Sequence, residues 1–313
     1  MTGFVRKLGN ALFAQKTQVL NTRQMWFLTC SEEELRGDRA LDAEILQGFL
    51  DLRRDGFAVL KRNVDHQLCD AVVADFDAYC ASHPEAEEYQ DEQGFHSRLA
   101  LFHYQSKNAL RVSTANRTVR ILRAAFRGDF TVVGSLFFEK GSTQDIHRDT
   151  PAFFTNPLNH FLGVWNALED IRENSGELCY YSGGHKVAPD AELYADERVT
   201  IDNYFSIVER ACEDAGLQRQ LFLPKKGDTL IWLPQLPHGG APRIDRALSR
   251  RSIVFHYIPN GIPIHGASDF FDHQKSIFVN ENYSTRIIDD VRVIDMGETR
   301  FYHNHKEGNF EEG

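Results

Sequence analysis

The sequence is poor in most of the features that mark a specialised class of protein. Its five cysteines, Cys30, Cys69, Cys80, Cys179 and Cys212, form no close-spaced pair. An odd, scattered set in a chain this long points to reduced thiols in a cytosol, not to a disulfide scaffold. With 10 Pro and 22 Gly, collagen-like and low-complexity classes are excluded. No apolar run approaches the length of a bilayer. The N-terminal stretch is broken by Asn10, Gln15 and Lys16, so it lacks the apolar segment of a signal peptide. An excess of positive charge is also missing: 35 Lys and Arg stand against 45 Asp and Glu, a net charge of -10. Nucleic acid and anionic membrane both select for basic surface and are therefore excluded as expected partners. There is no internal repeat. The expectation is a soluble, cytoplasmic protein whose oligomeric state is left open.

What is present is enough apolar residue, 42%, for a sizeable core. Residues 1 to about 50 read as a helical N-terminal extension, with Ser31 and Glu34 fitting a capping box. Asp55-Gly56 turns into Phe57-Ala58-Val59-Leu60, a short buried strand. Val64 to Cys80 carries apolar residues at helical spacing, and Thr118 to Phe126 reads as another helix. Glu85 to Ser97 is polar and is expected to be an exposed loop near an active site. From residue 130 the character changes to short strands: Thr131–Phe138, Phe161–Leu168, Leu178–Tyr181, Thr229–Leu233 and Arg250–Ile258. A helical insert interrupts them near 195–220. The expected class is α+β, one globular unit with a sandwich or small barrel over 51–260. Residues 261–313 read as a loop-rich extension.

The chemistry starts from His147-Arg148-Asp149. On a strand, alternation places the imidazole and the carboxylate on one face. A second His from a distant strand completes a two-His, one-carboxylate set, the arrangement of non-haem Fe(II) oxygenases. His238, in Leu236-Pro237-His238-Gly239-Gly240, follows a strand at a Gly-rich turn and supplies it. Phe153 and Phe154 follow the triplet at once and give the site apolar backing. Arg250, Ser252 and His256 fall on one face of the last strand, and an Arg with a Ser two residues on can hold a carboxylate. A positively charged iron site attracts a chelating 2-oxo acid, and a far carboxylate on that acid requires such a cation. Arg251 is the alternative to Arg250. His256 reads better as a hydrogen-bonded core histidine than as a fourth ligand, and His303 and His305 as part of a polar tail.

From about Gly134 to Tyr257 the chain resembles the phytanoyl-CoA dioxygenase family of Fe(II)/2-oxoglutarate oxygenases. The matching segments are His147-Arg148-Asp149, Gly163-Val164-Trp165-Asn166-Ala167-Leu168-Glu169-Asp170 and Asn174-Ser175-Gly176-Glu177-Leu178. They continue with Ser182-Gly183-Gly184-His185-Lys186, Lys226-Gly227-Asp228, His238-Gly239 and Arg250. Nearer the N-terminus, Arg54-Asp55-Gly56-Phe57 resembles the family's opening turn and strand. The resemblance implies a double-stranded β-helix, or jelly roll, with His147, Asp149 and His238 as iron ligands. It implies Arg250 as the partner of the far carboxylate of 2-oxoglutarate, helped by Ser252, and Trp165 as a lining residue of that pocket. Many members have Ser where this chain has Gly240. Halogenating relatives lack the carboxylate ligand, so Asp149 implies hydroxylation of an aliphatic C–H bond of a small molecule, with O2 as oxidant and succinate and CO2 released. Phe153, Phe154 and His160 are the expected substrate contacts. The alternatives are a non-catalytic jelly-roll binding protein and desaturation or cyclisation with the same cofactors.

Overall fold

A computed structural model describes residues 20–272 and 283–302. Helices α1 (Trp26–Thr29), α2 (Glu32–Gly37) and α3 (Ala43–Asp55) open the described chain. The capping box is formed: Glu34 N–H donates to Ser31 Oγ and Ser31 N–H to the Glu34 carboxylate. Gly56 ends α3 at φ +88°, a left-handed conformation that glycine adopts without cost. That turn feeds β1 (Phe57–Leu60). Then come α4 (His66–Ser82), β2 (Leu99–Ala100), α5 (Lys107–Ser113), α6 (Asn116–Phe126) and β3 (Phe130–Phe138). The second half runs β4 (Phe154–Thr155), β5 (Leu162–Ala167), β6 (Leu178–Tyr181), α7 (Asp190–Ala195), α8 (Ile201–Asp214), β7 (Arg219–Phe222), β8 (Thr229–Trp232) and β9 (His238–Gly240). It closes with β10 (Ser252–Pro259), β11 (Ile264–His265), α9 (Ala267–Phe271), β12 (Thr285–Ile288), β13 (Val291–Ile294) and β14 (Arg300–Phe301).

The strands form a double-stranded β-helix. The large sheet has the order β1-β8-β5-β10-β3-β13-β12, with β2 on β3 and β14 on β2. The small sheet is β7-β6-β9, and β11-β4 forms a separate pair. Central strands β5, β8 and β10 are buried along nearly their whole length, as strands covered on both faces must be. One face of the large sheet packs on α3, α4, α5 and α6 through Phe49, Leu52, Phe76, Leu110, Ile121, Phe137 and Phe255. Each fully buried side chain of this kind contributes about 1.5–3 kcal/mol. The other face meets the small sheet through Phe138, Trp165, Tyr180, Phe222, Trp232 and Val254. This interior is the space into which the last residues of the strands project. Among the described residues no helix is long and apolar enough to cross a membrane.

Two expectations are corrected. The segment beyond 260 contains a hairpin, β12-β13, whose second strand runs parallel to β3. Its turn is Asp289-Asp290, at φ +44° and +66°. Aspartate tolerates this left-handed pair, so the hairpin forms without the glycine that usually announces it. Residues 84–97 are largely exposed as expected, but a short helical turn and several ion pairs stitch them down, so they are not a plain loop. Asp91 accepts from Lys140 at 2.9 Å and Arg243 at 2.6 Å, and Glu139 accepts from both the backbone and the ring of His96. His303 and His305 lie outside the described residues.

Candidate metal and co-substrate site

His147 and His238 are fixed by a two-hydrogen-bond antiparallel bridge, N–H to O at 2.8 and 2.9 Å, which extends the small sheet by one more segment. Asp149 follows on the same face, its N–H bonded to the Pro234 carbonyl at 3.2 Å. One ligand atom of each of His147, Asp149 and His238 lies within 4.8 Å of the others. Both histidine Nε2 atoms stand 3.9 Å from Asp149 Oδ1. Both Nδ1 atoms face a carbonyl two residues upstream, of Asp145 at 2.8 Å and Leu236 at 2.9 Å. A carbonyl only accepts, so each Nδ1 carries the proton and each Nε2 presents its lone pair to the shared space. Burial, then the neighbouring His238, pushes the His147 imidazole down to about 4. Burial alone would raise the Asp149 carboxyl, but His238 and His256 outweigh it and hold the group below the usual carboxylate range. Two imidazole Nε2 atoms and one carboxylate oxygen thus converge as the donor set that a divalent cation requires.

Asp149 Oδ2, the other oxygen, accepts from Trp232 Nε1 at 2.8 Å and from His256 Nε2 at 3.1 Å. His256 is therefore the hydrogen-bonded core histidine that its position on the strand suggested. Arg148, between His147 and Asp149, points the opposite way and is fully buried. It pairs with Asp190 at 2.7 Å and donates to the carbonyls of Gly184, Val187 and Ala188.

Arg250 is buried in the barrel interior, with its Cζ 5.1 Å from the Phe138 ring and 5.8 Å from the Trp165 ring. Its Nη1 donates to Ser252 Oγ at 3.0 Å, and its Nε has no partner. No carboxylate pairs with it among the described residues, and burial pushes it down to about 10. The indole N–H of Trp165 is likewise buried and unpartnered. Arg251 is a different case: its guanidinium reaches Glu139 at 3.1 Å and its backbone N–H reaches Glu169. Gly240 has a steric reason. A Cβ there would stand 2.7 Å from Ser142 Oγ and 2.8 Å from Thr143 N, so the serine of other members has no room.

Phe153 stacks on the His256 ring at 4.0 Å and so stands one residue from the metal-facing groups. Phe154, its neighbour, opens β4 and packs against the Tyr194, His265 and Phe270 rings. It is fully buried with Leu158, Leu193, Tyr204 and Phe270, which corrects the expectation of a substrate contact. His160 bonds within its own turn, to Leu158 O and Thr155 Oγ1. Lys186 donates to the Arg54 carbonyl at 2.9 Å, and the His185 ring packs where a Cβ on Gly56 would sit.

Two further residues that the sequence did not single out reach the site. Phe205, on α8 of the insert, sets its ring edge against His147 at 6.1 Å. Arg98 lies just before β2. Leu99 pairs with Phe137 on the helix side and Ala100 with Leu136 on the interior side. Alternation then turns Arg98 inward, beside Phe138. Its Nε is buried without a partner, and its charge disfavours protonation of His147. The signal was a single Arg opening the apolar run Leu99-Ala100-Leu101-Phe102.

A family model, phytanoyl-CoA dioxygenase, matches residues 52–252, well over half of the chain. The chain belongs to the phytanoyl-CoA dioxygenase family. A relative from Danio rerio, phytanoyl-CoA dioxygenase domain-containing protein 1, is 27% identical over 113 residues. That match spans 35% of this chain and 37% of the relative. Among solved structures, EctD from S. alaskensis with 2-oxoglutarate and 5-hydroxyectoine superposes with a TM-score of 0.58 at 15% identity, covering 90% of this chain and 98% of EctD. The non-haem α-ketoglutarate-dependent carbocyclase SnoK from nogalamycin biosynthesis gives 0.58 at 15% identity, covering 85% and 97%. The epimerase SnoN of the same biosynthesis gives 0.56 at 15%, covering 80% and 98%. These likenesses establish the family's double-stranded β-helix for this chain.

Proposed function

We propose that this protein is an Fe(II)/2-oxoglutarate-dependent dioxygenase that hydroxylates an aliphatic C–H bond of a small molecule, releasing succinate and CO2. The observation that carries the reading is one barrel interior holding both a convergent His147–Asp149–His238 set and a buried arginine without an acid partner. The residues fit the group: three donor atoms face one point, and both histidine tautomers are set by carbonyls. Bound iron would supply O2 activation coupled to oxidative decarboxylation of 2-oxoglutarate.

The chain's own residues do the positioning. Arg250 holds the far carboxylate of the co-substrate by charge-assisted hydrogen bonds, with Ser252 fixing its guanidinium and Trp165 forming a wall. Arg98 adds a second cation on the same interior side. Phe153 and Phe205 exclude water on the flanks of the metal-facing groups and give the organic substrate an apolar surface. Asp149 occupies the position that a halide would need, which favours hydroxylation over halogenation. EctD, SnoK and SnoN show by their names that one fold serves hydroxylated, cyclised and epimerised products.

The test is incubation of purified protein with Fe(II), ascorbate, 2-oxoglutarate and a panel of small molecules. The expected result is succinate release matched by a product carrying one added oxygen. A product short of two hydrogens would move the chemistry to desaturation or ring closure. No iron uptake and no succinate across the panel would leave a non-catalytic binding protein.

A further inference from the structure

Three residues on three adjacent strands lie side by side across the large sheet. His256 of β10 pairs with Gly163 of β5, and Gly163 pairs with Trp232 of β8. The glycine between the two rings is what makes the row work. A Cβ on Gly163 would fall 2.3–2.6 Å from three atoms of the Trp232 indole, far inside contact distance. The indole therefore lies across a notch that only glycine leaves open. From there Trp232 Nε1 and His256 Nε2 both reach the same oxygen, Asp149 Oδ2, at 2.8 and 3.1 Å. Both donors are held from behind. Phe153 stacks on His256 at 4.0 Å, and Trp232 packs on the His238 ring at 4.9 Å. Trp232, His256 and Asp149 are 2%, 5% and 6% exposed, so water does not compete for the carboxylate.

The two oxygens of Asp149 are thereby made unequal. Oδ2 is occupied by two N–H donors, and Oδ1 faces both histidine Nε2 atoms at 3.9 Å. An octahedral ion held by two imidazoles and one carboxylate oxygen keeps three open positions. These would be enough for a chelating 2-oxo acid and O2 together. If Asp149 closed on the ion through both oxygens, only two positions would remain, and the chelating acid would have to compete with Asp149 Oδ2 to leave one for O2, at a cost in its own affinity.

We propose that Trp232 and His256 are positioning residues that restrict Asp149 to a single metal–oxygen bond, with Gly163 as the notch that admits them, so that chelating co-substrate and O2 both have room. The proposal rests on the iron/2-oxoglutarate reading above. It deepens that reading by assigning a role to residues outside the ligand set.

The experiment uses the whole chain and two titrations by calorimetry: Co(II) into metal-free protein, then 2-oxoglutarate into Co(II)-loaded protein. The variants are Trp232→Phe, His256→Leu, His256→Gln and Gly163→Ala. Trp232→Phe and His256→Leu should keep Co(II) affinity within about threefold and weaken 2-oxoglutarate about tenfold each, the scale of one hydrogen bond to a charged group. His256→Gln, whose amide can still donate to Oδ2, should recover most of the loss. Gly163→Ala should copy Trp232→Phe by displacing the indole. Should Trp232→Phe or Gly163→Ala fail to fold, the His256→Leu and His256→Gln pair carries the test alone. Unchanged 2-oxoglutarate affinity in Trp232→Phe and His256→Leu overturns the proposal. So does a parallel fall of metal and 2-oxoglutarate affinities. Failure of the underlying reading looks different: the unmodified protein itself takes up no Co(II).

Discussion

Arg148 and Arg250 head the fully buried side chains by size among the described residues, and their surroundings differ. Arg148 uses all four of its terminal N–H bonds: Ala188 O and Asp190 Oδ1 on Nη1, Gly184 O and Val187 O on Nη2. Asp190 in turn accepts from Thr150, Asn159 and Tyr204. Burial would lower the Arg148 pKa, yet Asp190 and Tyr204 outweigh it and the value is raised. Arg250 has one side-chain hydrogen bond, to Ser252, and burial pushes it down. A buried cation in an ion pair, with all four of its terminal N–H donors satisfied and only Nε left over, is a fastening, since its desolvation is offset within the fold. A buried cation in no ion pair, with Glu169 and Glu177 only near enough to temper its burial, is suited to receive an anionic ligand. The difference explains why Arg148 sits between two metal-facing residues without belonging to the site. It ties their strand to the loop at 184–190 and, through Tyr204, to α8, which carries Phe205 to the wall beside His147.

The comparison is open to direct attack. The largest effect should come from Asp190→Ala, which strands the Arg148 charge in the interior. Loss of about 3–5 kcal/mol of stability is expected, read as the shift of the urea midpoint. A loss below about 1 kcal/mol would remove the distinction. Next, Arg250→Gln should weaken 2-oxoglutarate about tenfold to a hundredfold, the scale of charge-assisted hydrogen bonds. It should leave the urea midpoint nearly unchanged, because no internal ion pair is broken. Tyr204→Phe removes one hydrogen bond from Asp190 and should cost about 1 kcal/mol, with a rise in substrate KM as Phe205 loosens.

The smallest effect concerns the latch at Asp91. Burial raises its carboxyl, but Lys140 and Arg243 outweigh this and hold it at about 2, below its ordinary 3.8. A depressed folded value means that the contribution is complete above the ordinary value and fades as pH falls toward the folded one. The stability difference between the parent protein and Asp91→Asn should therefore be full at pH 5 and shrink steadily below 3.8. A difference that grows on acidification would contradict the assignment.

Much of this architecture was legible in the sequence because it obeys local periodicity. The helices at α4 and α6, the central strands and the Ser31 cap are written in apolar spacing and capping chemistry. The triplet and the Arg250–Ser252 pair follow from alternation along single strands, and their convergence with His238 could be anticipated. What escaped depends on relations between distant segments. Gly163 is only a small residue until the register sets it between His256 and Trp232. Arg148 looks like a spacer until the loop at 184–190 folds around it. Phe153 and Phe154 look alike in sequence, and only the turn closed by Phe153 N–H on the Asp149 carbonyl separates a site wall from a core residue. The β12-β13 hairpin was hidden because aspartates stand where glycine is usual, and β2 and β14 are too short to show any period.

The central claim is that one interior site joins a metal at His147, Asp149 and His238 to 2-oxoglutarate anchored by Arg250. Anaerobic titration of 2-oxoglutarate into the Fe(II)-loaded protein, its His147→Ala variant and its Arg250→Gln variant tests it most directly. Tight, metal-dependent binding is expected in the parent protein, loss of iron uptake with His147→Ala, and retained iron with weakened 2-oxoglutarate for Arg250→Gln. Equal 2-oxoglutarate binding in all three, with or without iron, would contradict it.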